Sequence, residues 1–225
     1  MRKLFLAMAL TGLICMPVLA QFPFGGGMGR GGEGMLLMVE DVQKDLKLTD
    51  EQKKSISTAR EEMTKAMRAA FQDKDREAMQ KAQKEFGTAL AKVKEGLSSE
   101  QKKRVFQLEI QSAVKSNSPA IFKREEVQKA LKLTEKQIDT VKDALTDLEK
   151  DVKELMEDAK GDREKFGGAM KKMQSMGKDT FEKIAKSLSE DQQKTWKEIQ
   201  GEPFKGEFRP SFGGGGRRPK QKDDI

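Results

Sequence analysis

The sequence predicts an all-α protein, with two tandem units of antiparallel helical hairpins and short capping helices, flanked by disordered Gly-rich tails. Three observations predict it. The first is an internal repeat: VQKDLKLTDEQ, starting at Val42, returns as VQKALKLTEKQ, starting at Val127, with eight of eleven residues the same. Similarity at that level means two copies of one structural unit. The second is a helix-start signal inside the repeat. Leu48, Thr49 and Gln52, and again Leu133, Thr134 and Gln137, form capping boxes, in which the hydroxyl accepts from the N3 amide and the Gln side chain reaches back to the N-cap amide. Degenerate copies follow each of them, at Leu97, Ser98 and Gln101 and at Leu188, Ser189 and Gln192. The third is that the long stretches between boxes place apolar residues in steps of three and four, on one face of a helix.

Residues 1–20 read as a cleaved secretory signal. Arg2 and Lys3 precede an apolar run ending in Val18, Leu19 and Ala20, which places the cut before Gln21. A retained anchor is the alternative, but the run is short for a span of about 20 apolar residues and Pro17 interrupts it. Ile14 before Cys15 does not suit a lipoprotein signal. Residues 21–34 form a Gly-rich leader, which buries too little to order itself.

The first unit is expected over 35–116. Met35, Met38, Val39, Val42 and Leu46 are spaced as one short helix. Thr49 starts the outgoing arm, whose stripe is Ile56, Ala59, Met63, Met67, Ala70 and Phe71. Gln72 to Asp75 is a polar turn, and the return arm carries Met79, Ala82, Phe86, Leu90 and Val93. Gly96 suits a left-handed helix end, and Ser98 caps a fourth helix with Val105, Phe106, Leu108 and Ile110.

The second unit is expected over 117–201, with the boundary at 115–118. Ser118 before Pro119 reads as an N-cap with proline at the first helical position, opening a helix to about Leu131. Leu133 and Ile138 flank the Thr134 box as a hydrophobic staple. The arm that follows is the most regular in the chain: Ile138, Val141, Leu145, Leu148, Val152 and Leu155 keep heptad spacing, so it packs along another helix as in a coiled coil. Gly161 and Asp162 turn the chain into a partner arm bearing Phe166, Met170, Met173, Phe181, Ile184 and Leu188. Gly167, Gly168 and Gly177 predict bending or fraying there, since each costs about 1 kcal/mol relative to Ala. Ser189 caps a last helix with Trp196 and Ile199 inward. From first to second box is 49 positions in unit one and 55 in unit two, which predicts about three extra residues per arm, roughly 4 to 5 Å. Residues 202–225 are expected to be a basic, flexible, Gly-rich tail.

Composition narrows the function. The only cysteine, Cys15, lies in the expected signal and the chain has no His and no Tyr. Disulfides, thiol nucleophiles, Cys/His zinc sites and imidazole catalysis are thereby excluded from the mature chain. Ser/Lys dyads and all-carboxylate sites survive but leave no recognisable pattern, so the chain is not expected to be an enzyme or to carry a cofactor or metal. The net charge is +7, two of those charges being Arg2 and Lys3, and 36% of residues are charged with both signs interleaved. That suits long exposed helices better than a nucleic-acid surface, and no nucleic-acid partner is expected.

The boxes resemble those of the Spy/CpxP-like periplasmic proteins, secreted all-helical units with an LTxxQ motif before one long helix and a second before a later helix. Leu48, Thr49 and Gln52 match the first motif, and Leu97, Ser98 and Gln101 the second with Ser for Thr. Leu133, Thr134 and Gln137 match fully, and Leu188, Ser189 and Gln192 again have Ser. Those relatives carry one unit per chain and act as cradle-shaped dimers, whereas this chain holds two units; it also lacks the His residues used by zinc-binding relatives. The resemblance implies a periplasmic or secreted protein, either a monomeric pseudo-dimer or a homodimer, that binds unfolded or partly folded envelope proteins under stress without ATP and retains no membrane span once the signal is cut.

Within that reading the boxes belong to folding. Met63, Met67, Phe71, Met79, Phe86, Met156, Phe166, Met170 and Met173 have two readings: they fill the hairpin seams, or part of the stripe stays exposed to meet apolar clients, as flexible and polarizable Met side chains suit. Surrounding Lys and Arg would draw acidic clients. The alternative is a structural or regulatory helical module docking on one envelope partner, such as a sensor protein or a cell-wall component.

Overall fold

The computed structural model describes residues 34–208. The expected signal, the expected leader up to residue 33 and the tail from 209 lie outside them. The described chain is all-α, without strands: α1 (Glu40–Asp45), α2 (Asp50–Gln72), α3 (Arg76–Glu95), α4 (Ser99–Ser116), α5 (Glu125–Ala130), α6 (Glu135–Asp158), α7 (Arg163–Lys186) and α8 (Glu190–Glu198), with 3-10 turns at Met35–Met38 and Pro119–Lys123. None of these helices is long and apolar enough to cross a membrane. Helix α2 packs along α3 and α6 along α7.

The repeat assigns a task to each of its eight shared residues. Val42 and Val127 are fully buried, and Leu46 and Leu131 nearly so. The Gln43 amide donates to the Leu37 carbonyl (2.6 Å) and Gln128 to that of Phe122 (3.0 Å), tying each 3-10 turn to the short helix after it. Lys44 pairs with Glu40 and Lys129 with Glu125, one helical turn away. These pairs are fully exposed; the hydrogen bond to Glu40 raises the Lys44 pKa and that to Lys129 lowers the Glu125 pKa, so they add little in solvent. Lys47 and Lys132 take left-handed conformations, φ 49° and 51°. Leu48 and Leu133 follow, their amides returning to the Gln43 and Gln128 carbonyls, while the Lys47 and Lys132 amides reach those of Lys44 and Lys129. This double bond pattern is a Schellman ending. Thr and Gln complete the repeat as the capping boxes, all four of which form.

A lysine in the left-handed region is strained by about 1 to 2 kcal/mol, which glycine escapes at some cost in backbone entropy. Lys47→Gly and Lys132→Gly are therefore expected to stabilise the fold by about 0.5 to 1 kcal/mol each. A rise in urea midpoint at constant slope would show it; a fall would contradict the strain.

Several sequence expectations are corrected. Residues 35–46 and 119–131 are not single helices: each breaks into a 3-10 turn and a short α-helix at an extended residue, Val39 or Arg124. The break lets the turn insert a large side chain into the core, Leu37 in one copy and Phe122 in the other, both fully buried. Ser118 makes no side-chain cap, since a 3-10 turn follows it. Gly96 is right-handed (φ −76°), because Leu97 closes directly on the Lys94 carbonyl and no reversal is needed. Helix α7 runs unbroken through Gly167, Gly168 and Gly177. The arms do not lengthen equally: α2 and α6 have 23 and 24 residues, whereas α3 and α7 have 20 and 24.

Two clusters of buried residues hold the fold. One gathers Leu37, Val42, Ile56, Phe86 and Leu90; the other surrounds Phe122, which lies 5.3 Å from the Phe181 ring and 4.8 Å from Trp196. Helix α4 serves both, giving Val105 and Leu108 to the first and Ile110 and Ala113 to the second. The change of core thus falls inside α4, ahead of the boundary expected at 115–118. The tail expected from residue 202 also begins as packed structure, with Phe204 and Phe208 against the first cluster.

Candidate functional site

The boxes do more than start helices. In the first pair, Gln52 Oε1 accepts from the Thr49 amide and Gln101 Oε1 from the Ser98 amide, both at 2.9 Å. Their Nε2 groups then donate to each other's oxygen, at 3.2 and 3.3 Å, and Gln101 Nε2 also reaches the Leu46 carbonyl. Gln137 and Gln192 repeat this at 2.7 and 2.9 Å, with further bonds to the Ser187 and Lys132 carbonyls. Each pair of boxes is a reciprocal amide clasp across the base of a hairpin. A hollow of about 500 Å³ beside the first clasp is open to solvent and lined by Thr49, Gln52, Ser98 and Gln101 together with Lys47 and Glu100. The sequence showed the local half of this arrangement only.

A double-mutant cycle reads the clasp. Gln52→Ala and Gln101→Ala are each expected to cost about 2 kcal/mol, with a coupling of about 1 kcal/mol between them. Gln52→Ala with Gln137→Ala, which share no partner, should be additive. Strict additivity within the Gln52/Gln101 pair would leave only independent caps.

Beyond the cores, the arms are sealed by small residues. Ala70 and Ala82 in the first hairpin, and Ala159 and Ala169 in the second, are buried to 4% exposure or less, and none belongs to either cluster. Alanine lets two helices approach closely, so larger neighbours are displaced to the flanks of the seam. Met67, Met79, Met156, Met170 and Met173 are accordingly half-buried, whereas Met63, also half-buried, packs against the first core. Phe71, at the end of α2, is 75% exposed, and Phe166, in the first turn of α7, is 46% exposed. Both stand at the outer ends of their hairpins.

Phe86 is the exception among the nine candidates. It lies at 6% exposure inside the first cluster, because the return arm has reached the level of Ile56 and Ala59 there, and it is not available to a client. Met176, half-buried on α7, joins the exposed flank and was missed. Its spacing of three from Met173 was the available signal.

The charge around the arms is not uniformly basic. Helix α7 carries Arg163, Lys165, Lys171, Lys172 and Lys178, whereas α6 carries Asp143, Asp147, Glu149, Asp151 and Glu154, nearly all exposed. No group of three or more His, Cys, Asp or Glu residues among the described residues is placed to hold a metal ion. The site is therefore two apolar, methionine-rich flanks with exposed phenylalanines at their tips, edged by both charge signs. Comparison with family models, with curated proteins and with solved structures finds no match for this chain.

Proposed function

We propose that the protein is an exported, ATP-independent chaperone or envelope stress-response binding protein, which holds unfolded or apolar clients on the Met/Phe flanks of its hairpins. The reading places it in the periplasm or outside the cell, with the Spy/CpxP-like proteins that its four boxes resemble. The alanine-sealed seams are the observation that carries it. A seam closed by Ala70, Ala82, Ala159 and Ala169 needs no methionine to fill it, yet part-exposed methionines line its edges and two phenylalanines, 75% and 46% exposed, stand at its tips. Such side chains adapt to many apolar surfaces. The interleaved charges keep the carrier soluble and give a client's polar groups partners of either sign. Binding of this kind involves no catalytic step and no nucleotide.

Helix α4, common to both cores, supports a chain that works alone as a fused pseudo-dimer; a stable homodimer by light scattering at micromolar concentration would count against that. The client reading is tested by aggregation of two unrelated unfolding proteins. Suppression of both is expected. No effect on either would favour a module that docks on one dedicated partner.

A further inference from the structure

Residues 201–208, after α8, cross back onto the opposite half of the molecule as an irregular, non-helical segment. Side chains of α1 and α4 hold it, and they do so by its main chain. Gln111 Nε2 donates to the Gln200 and Glu202 carbonyls (2.6 and 2.7 Å), and its Oε1 accepts from the Phe204 amide (2.8 Å). Arg104 Nη1 donates to the Glu202 carbonyl at 2.8 Å, and Asp41 Oδ2 accepts from the Glu207 amide at 3.2 Å. Asp45 fixes the guanidinium through Nε and Nη2, at 2.7 and 3.2 Å, and this hydrogen bonding raises the Arg104 pKa. The side chains of the segment supply only two anchors. Phe204 and Phe208 stack on each other with centroids 4.7 Å apart and pack against the first core, and Lys115 Nζ lies over the Phe208 ring.

A surface that bonds the main chain and asks only for aromatic anchors is matched to unfolded polypeptide, whose amides and carbonyls have no helix or sheet partners. We propose that this face of α1 and α4 is a second binding groove for unfolded, aromatic-bearing polypeptide, occupied in the resting chain by its own Phe204–Phe208 segment as a displaceable plug. The identity of the occupant rests on the client reading above; the groove itself rests on the segment now seated in it. Held in cis, the plug competes at high effective concentration, so the groove opens only when client is abundant or the plug is weakened.

Gly206 provides the means of weakening it. A Cβ there would lie 2.7 Å from Asp41 Cβ and 2.6 Å from Phe204 Cζ, so Gly206→Ala is expected to unseat the segment, lifting Phe204 and Phe208 off the first core while leaving the buried cluster's own residues unchanged. In the full-length chain, Gly206→Ala is expected to bind a fluorescent peptide of residues 200–208 about tenfold or more tightly than the parent does, by anisotropy. Changing both phenylalanines of the peptide to alanine, or adding Gln111→Ala to the protein, should remove the gain, with helicity by circular dichroism unchanged. Equal binding, or none, to parent and variant would overturn the groove. In the parent chain, an unfolding client should accelerate hydrogen exchange at the Phe204 and Glu207 amides. Protection that persists while client aggregation is suppressed would overturn the plug and leave the hairpin reading standing. Failure to suppress aggregation, with the peptide still captured by Gly206→Ala, would do the reverse.

Discussion

Replacing Glu109 with alanine is expected to lower the stability of the folded chain by about 3 kcal/mol, or about 6 to 12 °C in Tm. Glu109 stands on α4 between Leu108 and Ile110, the two residues where one core gives way to the other, and its side chain is only 8% exposed. Its Oε2 lies 2.6 Å from Arg124 Nη1 and 3.6 Å from Lys94 Nζ. Lys94 belongs to α3 and Arg124 introduces α5, so this one carboxylate ties both halves to the shared helix. Arg124 also pairs with Glu126 on its exposed side. Oε1 of Glu109 is buried and accepts no hydrogen bond from the described residues.

Removing the buried carboxylate takes a shared partner from two cations that are largely shielded from water, Lys94 and Arg124, although Arg124 keeps Glu126, which is why the loss exceeds that of any surface pair in the molecule. Glu109→Gln keeps an acceptor for Arg124 and is expected to lose about half as much. Urea unfolding of the three proteins decides it. A change below about 0.5 kcal/mol for Glu109→Ala would mean that the junction is held by its apolar neighbours alone.

The second large effect is on binding and should leave stability untouched. Phe71→Ser with Phe166→Ser removes the two most exposed large apolar side chains among the described residues. Exposed positions of this kind alter stability by about 0.5 kcal/mol or less. Affinity for an unfolded client is expected to fall about tenfold or more, since truncating an aromatic anchor commonly costs above 1 kcal/mol. Titration of a fluorescent, permanently unfolded client measures the change. Unaltered affinity would remove the hairpin tips from the client surface.

What could be read from the sequence follows how locally each feature is determined. The Thr49, Ser98, Thr134 and Ser189 caps were legible because a capping box closes on itself within four residues. The clasp between Gln52 and Gln101 was not, since each glutamine's local bond already explains its presence and the second bond depends on the hairpin bringing the boxes together. The broken entry helices were misread because Met35, Met38, Val39 and Val42 have helical spacing whether or not a turn intervenes at Val39. A left-handed helix end was expected at Gly96, which is right-handed, whereas Lys47 and Lys132 take that conformation in the two copies of the repeat; the shared Leu-Lys-Leu before each Thr carried that information.

At the candidate site, the stripe of each arm was legible but its inside and outside were not. Ala70 and Met67 count alike in an apolar pattern. Only the close approach of two helices decides that the alanine is buried and the methionine displaced. The segment at 201–208 was hidden by its glycine, proline and charges. Its one signal was the pair Phe204 and Phe208 in a polar run, and their docking surface lies far earlier in the chain, at Asp41, Arg104 and Gln111.

Site-specific cross-linking shows where on the hairpins an unfolded client lies. With a benzophenone side chain placed at Phe71 or Phe166, illumination in the presence of an unfolding client should yield adducts at both positions, and few at Lys102 on the exposed start of α4. Adducts as frequent at Lys102 as at the tips, or none at the tips while aggregation is still suppressed, would contradict the account.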